Sequence, residues 1–481
     1  MLYHSTRNPA LTADSAQAVL EGLAPDGGLY MPAHLPAFDW QKCLRGSAQE
    51  MSCMILSALL PDIPNIDTLV KNAYTGKFES EALTPTVSVG NFHVLELFRG
   101  PTSAFKDVAL CMLPQLLTAA KKAKGQEKDI LILTATSGDT GKAALSGFQD
   151  VPGIKICVFY PHGGVSQVQR AQMVTQEGEN VTVCAVRGNF DDAQTGVKNI
   201  FAACRGRDMK VELSSANSIN IGRLAPQIMY YFKAYKDLMD AGKIRLGDEV
   251  NFCVPTGNFG DILAGYLAKK LGLPVGKLIC ASNANKVLAD FIHCGTYDRR
   301  RPLHKTDSPS MDILVSSNLE RLLYLLSGDC ELVAVLMKQL NEQGFYTVPA
   351  ELKAAIDAEF WADFAGDGAT AETIRNVWDH HRYLCDTHTA VGWYVAENYV
   401  NQTGDDRPLV VLSTASPYKF PKAVLEALGG DLNGDEFALM ERLEKITGVP
   451  TPKNLATLRG KPERHTGVID KDEMLDFVLG L

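Results

Sequence analysis

The sequence predicts a doubly wound α/β fold, and three observations carry the prediction. Between about residues 129 and 283, short β-branched apolar runs alternate with longer helical patterns. These runs are apolar at successive rather than alternate positions, as strands of a parallel sheet covered on both faces must be. Two of them end in glycine-containing turns that open helices, at residues 137–141 and 256–260, the place where such sheets bind ligands.

The expected strands are, in order, Asp129–Thr134, Lys155–Tyr160, Val181–Val186, Lys210–Leu213, Glu249–Val254 and Lys277–Ala281. Most are separated by helical patterns, such as GRLAPQIMYYFKAYKDLM after residue 221, so right-handed crossovers make the sheets parallel. A later strand, Pro408–Ser413, followed by a helix from Phe420, returns the chain to an earlier sheet. The flanks differ. Residues 1 to about 90 read as mainly helical, broken by turns such as Pro25-Asp26-Gly27-Gly28. Residues from about 318 to 400 also read as mostly helical, with a loop near Asp363–Gly368. Pro114 should kink the helix in which it falls.

Length and charge narrow the function. At 481 residues the chain has room for about three units of ordinary domain size. With 47 basic and 56 acidic side chains its net charge is −9, which excludes the broad positive field of a duplex nucleic-acid binder or a polybasic membrane binder. The 11 cysteines are odd in number, none has zinc-knuckle spacing, and several lie inside apolar runs, as at Cys157 and Cys253. Buried free thiols of this kind fit a reducing compartment, the cytoplasm. The opening MLYHSTRNPALTADSAQAVL lacks the pattern of a secretory signal, and no run approaches the ~18 apolar residues of a membrane span.

Four segments carry chemistry. In Pro101-Thr102-Ser103-Ala104-Phe105-Lys106-Asp107, Thr102 or Ser103 can cap a helix with an apolar face of Phe105, Val108, Ala109 and Met112. Lys106 then lies in the first turn, against the positive end of the helix dipole. Partly buried there, its pKa falls, as a Schiff-base lysine requires; taken alone, the segment also describes a solvated lysine on an amphipathic helix. Leu133-Thr134-Ala135-Thr136-Ser137-Gly138-Asp139-Thr140-Gly141 reads as a strand, a tight turn and a helix start whose free N–H groups and hydroxyls suit a carboxylate or phosphate. It is not a nucleotide P-loop, because Gly138 and Gly141-Lys142 are too close and Ala143 stands where a magnesium-binding hydroxyl is needed. Alone, it also fits an ordinary strand–helix turn with an aspartate cap. Val254-Pro255-Thr256-Gly257-Asn258-Phe259-Gly260-Asp261 repeats the pattern, its two glycines letting the backbone close on a small dianion. Val411-Leu412-Ser413-Thr414-Ala415-Ser416 ends the last strand with hydroxyls at the edge that faces ligands in such sheets.

Together and in this order, the segments resemble the pyridoxal-phosphate enzymes of the tryptophan-synthase-β fold group (fold type II), and most closely the threonine synthase family in its longer bacterial and fungal form. The likeness covers nearly the whole chain and includes GLAPDGGLYMP at residues 22–32. It implies two doubly wound parallel-sheet domains sharing a cofactor crevice. Residues 1–90 would be an N-terminal mainly helical segment, 91–125 with 220–481 a larger cofactor-binding domain with a helical insertion, and 126–219 a smaller α/β domain.

The resemblance also implies pyridoxal 5'-phosphate held covalently by Lys106, with its phosphate in the loop of Gly257, Asn258, Phe259, Gly260 and Asp261. Thr414 matches the hydroxyl facing the pyridine nitrogen, which does not enforce ring protonation as a carboxylate would. Asp139 falls where shorter relatives have asparagine near the cofactor's 3-hydroxyl. Ser137, Gly138 and Thr140 match a cradle for the substrate carboxylate. Asn217-Ser218-Ile219-Asn220-Ile221-Gly222-Arg223 resembles a motif for the substrate phosphate, with Asn217, Ser218 and Arg223 as contacts and the guanidinium offering paired hydrogen bonds. Asp386-Thr387-His388-Thr389-Ala390 departs from its family counterpart at Thr387, where proline is usual. His380, His381 and His388 are expected to pack or cap, and no metal is expected. The implied reaction converts O-phospho-L-homoserine and water to L-threonine and phosphate. The alternatives are a phospholyase giving 2-oxobutyrate and a non-catalytic cofactor-binding protein. No nucleic-acid or membrane partner is expected, and the chain would be a monomer or homodimer.

Overall fold

The computed structural model describes residues 1–481 apart from Ser137, Arg205, Gly206, Asp208 and the side chain of Asp191. Two sheets organise the chain. The larger runs in the order Phe360–Phe364, Val275–Ser282, Val250–Pro255, Leu409–Ser413, Phe92–Glu96, Thr86–Val89. Every neighbouring pair in it is parallel except the last. The smaller runs Val468–Asp470, Val181–Arg187, Ile154–Pro161, Asp129–Ala135, Val211–Ser214, and is parallel throughout. Each strand expected from the sequence is present, its ends within two residues of those expected.

The continuous apolar runs are buried as a doubly covered sheet requires. Val250–Pro255 is buried at every position. Its polar member, Asn251, gives Nδ2 to Asp405 at 3.0 Å and accepts from the Lys277 amide at 2.7 Å, so neither end of the carboxamide is left unpaired.

Other parts depart from the sequence reading. Residues 1–90 contain, besides helices, the strands Leu2–Ser5, Thr12–Asp14 and Tyr30–Pro32, which form an antiparallel sheet. Strands of three or four residues are too short for their periodicity to register. Phe360–Phe364 lies within a stretch read as mostly helical, yet forms an edge of the larger sheet. Val468–Asp470 carries the end of the chain back to the smaller sheet, across the division expected at residue 220.

Helix Lys106–Ala123 runs through Pro114 without a break. Its buried side chains include Leu110, Leu113, Leu116 and Leu117, each contributing about 1.5–3 kcal/mol on burial. Pro114 has no N–H for the Leu110 carbonyl, and helix Asp139–Phe148 closes on that point. A Cβ on Gly147 would stand 2.0 Å from the Leu110 oxygen, so no larger residue fits without moving a helix. Gly147→Ala should therefore lower stability by about 2 kcal/mol or more, read as a fall in the urea unfolding midpoint.

Candidate active site

Strand Val250–Pro255 lies between Val275–Ser282 and Leu409–Ser413, so connections diverge on its two sides. Asp129–Ala135 likewise lies between Ile154–Pro161 and Val211–Ser214. Such switch points open a crevice at the carboxyl ends of the strands. The segments leaving the sheets there are 256–261, 414–419, 136–141 and 215–223, and the segment leaving Phe92–Glu96 leads to Lys106.

Lys106 is the first residue of its helix, but neither Thr102 nor Ser103 caps it: Phe105 stands at the cap position without a side-chain bond. The hydrogen bonding is reversed. Asp107, in the first turn, accepts from the Thr102 amide at 2.8 Å and from its hydroxyl at 2.5 Å. Strand pairing explains this. Ala104 bridges Ala415, the Phe105 amide donates to the Thr414 carbonyl at 2.8 Å and the Ser416 amide to the Ser103 carbonyl at 3.1 Å. Ser103 turns with φ +59° to make that approach. The segment before Lys106 is thereby fastened to the strand tip that carries Thr414.

Among the described residues the Lys106 Nζ has no hydrogen-bond partner; it lies 4.7 Å from the centre of the Phe105 ring. Burial pushes its pKa down. Of the charges that act on it, Asp139 and Asp261 oppose that shift while Lys419 and Arg223 assist it. Two acids set against two bases leave desolvation to decide, and desolvation favours the free amine.

Asp139 opens helix Asp139–Phe148 behind Gly138, whose φ is +142°. The turn is wound on Thr136, whose Oγ1 accepts from the amides of Gly138 at 3.0 Å and Gly141 at 2.9 Å. A Cβ on Gly138 would meet the Gln169 carboxamide at 2.4 Å. Thr140 is the second residue of the helix; Ser137 lies outside the described residues. The Asp139 carboxylate pairs at 2.6 Å with Lys419, which is wholly buried. It also accepts from Gln169 Nε2 at 3.0 Å and from the Ser310 hydroxyl at 3.4 Å. Burial alone would raise its pKa, but the charges of Lys419 and Lys106 outweigh burial and hold it well below the usual carboxylate range. Sequence reasoning missed Lys419. The available signal was a lysine five residues beyond Thr414, in the turn Ser416-Pro417-Tyr418-Lys419-Phe420.

In the loop after Val250–Pro255, Phe259 holds φ +63° at the start of helix Gly260–Lys270, a conformation that turns successive N–H groups inward. A Cβ on Gly257 would stand 2.8 Å from the Ser310 carbonyl oxygen, so the loop closes only around glycine. Asp261 is buried with one oxygen accepting from the Ile262 amide at 2.9 Å. Burial pushes its pKa up to about 6, against the opposing Ile262 amide and Lys106. The linkage has a definite sign. The folded-state value lies above the ordinary 3.8, so the associated stability is present below about pH 4 and is lost as pH rises through about 6. Asp261→Asn is expected to stabilise the cofactor-free protein at pH 8 by about 2–3 kcal/mol and to change little at pH 4; urea unfolding at the two pH values checks this.

Arg223 is buried in the short helix Ile221–Leu224, which Asn220 caps by accepting from the Gly222 amide at 2.8 Å. Its Nη1 donates to the Ala216 carbonyl, and its Nε is a buried donor with no partner among the described residues. Burial pushes its pKa down to about 10. A buried guanidinium with an unused donor calls for an anion. Asn217 and Ser218 precede it in the same loop, the Ser218 hydroxyl 3.2 Å from that of Ser317.

The histidines separate. His380 Nδ1 lies 2.8 Å from the Asn376 carbonyl in its own helix, and the His381 ring covers Gly90 beside Trp393. His388 Nε2 accepts from the Ser310 amide at 3.1 Å, so Nδ1 donates to Asp386 at 2.7 Å. It anchors the turn whose hydroxyl reaches Asp139. Among the described residues no cluster of three His, Cys, Asp or Glu suits a metal, and no helix is long and apolar enough to cross a membrane.

Residues 2–74 match the family model for the threonine synthase N terminus, 73–337 that for pyridoxal-phosphate dependent enzymes, and 389–476 that for the threonine synthase C-terminal part. Threonine synthase from Pseudomonas aeruginosa is 39% identical over 476 residues, covering 97% of this chain and 98% of that one. Threonine synthase-like 1 from Macaca fascicularis is 40% identical over 434 residues, which are 86% of this chain and 58% of that protein. The chain thus spans little more than half the length of that relative. A crystal structure of pyridoxal-phosphate-bound threonine synthase from Brucella melitensis superposes with a TM-score of 0.89 at 37% identity, covering 100% of this chain and 99% of the other. The chain belongs to the threonine synthase family of pyridoxal-phosphate-dependent enzymes.

Proposed function

We propose that this protein is a lyase converting O-phospho-L-homoserine and water to L-threonine and phosphate, with pyridoxal 5'-phosphate as cofactor. The observation that carries the proposal is the buried guanidinium of Arg223, which supports a second anion site. Loop 256–261 would serve one phosphate, and Arg223, whose Nε donor has no partner among the described residues, would serve another. A protein that only stored the cofactor would need the first and not the second.

The residues present fit the cofactor. Lys106 offers an amine without a hydrogen-bond partner among the described residues, Gly257 leaves a cradle that a Cβ would fill, and Asn258, Phe259, Gly260 and Asp261 supply a helix N-terminus for its phosphate. Thr414 would face the ring nitrogen, and Asp139 with Lys419 the 3-hydroxyl edge. When bound, pyridoxal phosphate supplies a sink for the electron pair left at the substrate Cα.

Lys106 then works as a mobile base on a flexible stem. It removes protons from Cα and Cβ. The Cγ–O bond breaks with its electron pair leaving on phosphate, a proton is placed at Cγ, water delivers its hydroxyl to Cβ, and a proton returns to Cα. Arg223, with Asn217 and Ser218, holds the phosphate before and after that bond breaks. Gly138 and Thr140, at a helix N-terminus, receive the substrate carboxylate. Residues 1–90, 91–125 with 220–481, and 126–219 are the structural units of this reading, with 468–470 returning to the sheet of 126–219. We place the protein in the cytoplasm as a monomer or homodimer.

Incubating the cofactor-loaded protein with O-phospho-L-homoserine should release threonine and phosphate in equal amounts. Release of 2-oxobutyrate in place of threonine would replace this reading with that of a phospholyase.

A further inference from the structure

The two anion loops share one buried side chain. Asn318 is fully buried. Its Nδ2 donates to the Asn258 carbonyl and to the Ser218 carbonyl, each at 3.1 Å, and its amide donates to the Asn258 carbonyl at 3.0 Å. Ser317 lies beside it, its hydroxyl 3.4 Å from Asn258 Oδ1 and 3.2 Å from the Ser218 hydroxyl. Ser316 donates to the Gly257 carbonyl at 2.9 Å. Residues 316–318 therefore touch the cofactor-phosphate loop and the substrate-phosphate loop at once.

The carboxamide is fixed in orientation. A carboxamide has two N–H donors and one accepting oxygen, and the oxygen of Asn318 accepts from Arg321 Nη1 at 2.6 Å. A flip would set its NH2 group against the guanidinium. Arg321 is itself fully buried. Its Nη2 donates to the Ile219 carbonyl at 2.6 Å and to the Tyr30 carbonyl at 3.1 Å. The neighbouring carboxylate, Glu320, is engaged by Arg7 and Thr6 instead. One guanidinium thus holds Asn318, the substrate-phosphate loop and the N-terminal segment in register.

We propose that Asn318, oriented by Arg321, is a positioning residue that couples the two anion sites. Phosphate seated in loop 256–261 fixes Asn258, and through Asn318 it fixes Ser218 and the loop leading to Arg223. The inference rests on the functional reading above and adds a thermodynamic link between its two phosphates. Linkage is reciprocal, so an anion at Arg223 must also tighten the hold on the cofactor.

The test measures cofactor loss from the holoenzyme by absorbance, with and without saturating propylphosphonate. This probe carries the phosphonate of a substrate mimic and no amine to attack the cofactor. In the wild type, propylphosphonate should slow cofactor loss about tenfold, a size typical of site-to-site coupling. Asn318→Asp retains the oxygen facing Arg321 but loses both Nδ2 donors; Asn318→Ala loses the whole group. In both variants the slowing should vanish although the phosphonate still binds, as followed by 31P NMR. Slowing retained in the variants, or absent in the wild type, overturns the coupling. A wild type that makes threonine but shows no slowing refutes the coupling alone, whereas one that makes no threonine refutes the functional reading beneath it.

Discussion

Lys106→Ala is expected to abolish threonine formation, lowering kcat/KM by about 10⁴-fold or more, and to remove the imine absorbance band of the cofactor-loaded protein. The loss should be chemical and not structural. The Lys106 amine has no hydrogen-bond partner among the described residues, so its removal breaks no hydrogen bond among them. The thermal midpoint of the cofactor-free variant should therefore match or exceed that of the wild type. Lys106→Arg gives a sharper comparison. It places a permanent positive charge among Asp139, Asp261, Lys419 and Arg223, one that cannot give up a proton near neutral pH. It should be as inactive as the alanine variant, because a free amine is required and a mere cation does not suffice.

Arg223→Met is the second large effect, and its two consequences run in opposite directions. Turnover should fall by about 10²–10³-fold in kcat/KM, since charge-assisted hydrogen bonds to the departing phosphate act while charge grows on it. Stability should not fall with it. Burying this guanidinium costs desolvation, as its lowered pKa reflects, against one contact with the Ala216 carbonyl, and methionine keeps the apolar stem of the side chain. Steady-state kinetics and a urea melt on one preparation separate the two. A variant that lost activity and stability together would mark Arg223 as a structural residue.

What the sequence could reveal depended on whether the signal was local. Strands such as Val250–Pro255 are legible because burial on both faces writes an uninterrupted apolar run. Lys106, Gly257 and Arg223 are legible because each sits at a junction with its own turn chemistry. Lys419 is not, since a lysine after Ser416-Pro417 resembles a solvated turn residue until Asp139, far away in the chain, is brought to 2.6 Å. Asn318 and Arg321 are hidden for the same reason: their partners are carbonyls of residues 30, 218, 219 and 258, and a carbonyl leaves no trace in a residue's identity. The reversed bonding at Asp107 shows the opposite hazard. Thr102 and Ser103 have the chemistry of helix caps, but pairing with the strand tip at Ala415 overrode it.

The central claim is that this cleft breaks the Cγ–O bond of a phosphorylated amino acid and adds water at Cβ, using Lys106 as the base. The most direct measurement is turnover of O-phospho-L-homoserine in 18O-labelled water, with mass analysis of both products. One labelled oxygen is expected in each threonine, in the hydroxyl at Cβ, and none in the phosphate. Label in the phosphate would mean attack at phosphorus, and unlabelled threonine or 2-oxobutyrate would mean that water does not add at Cβ; any of these would contradict it.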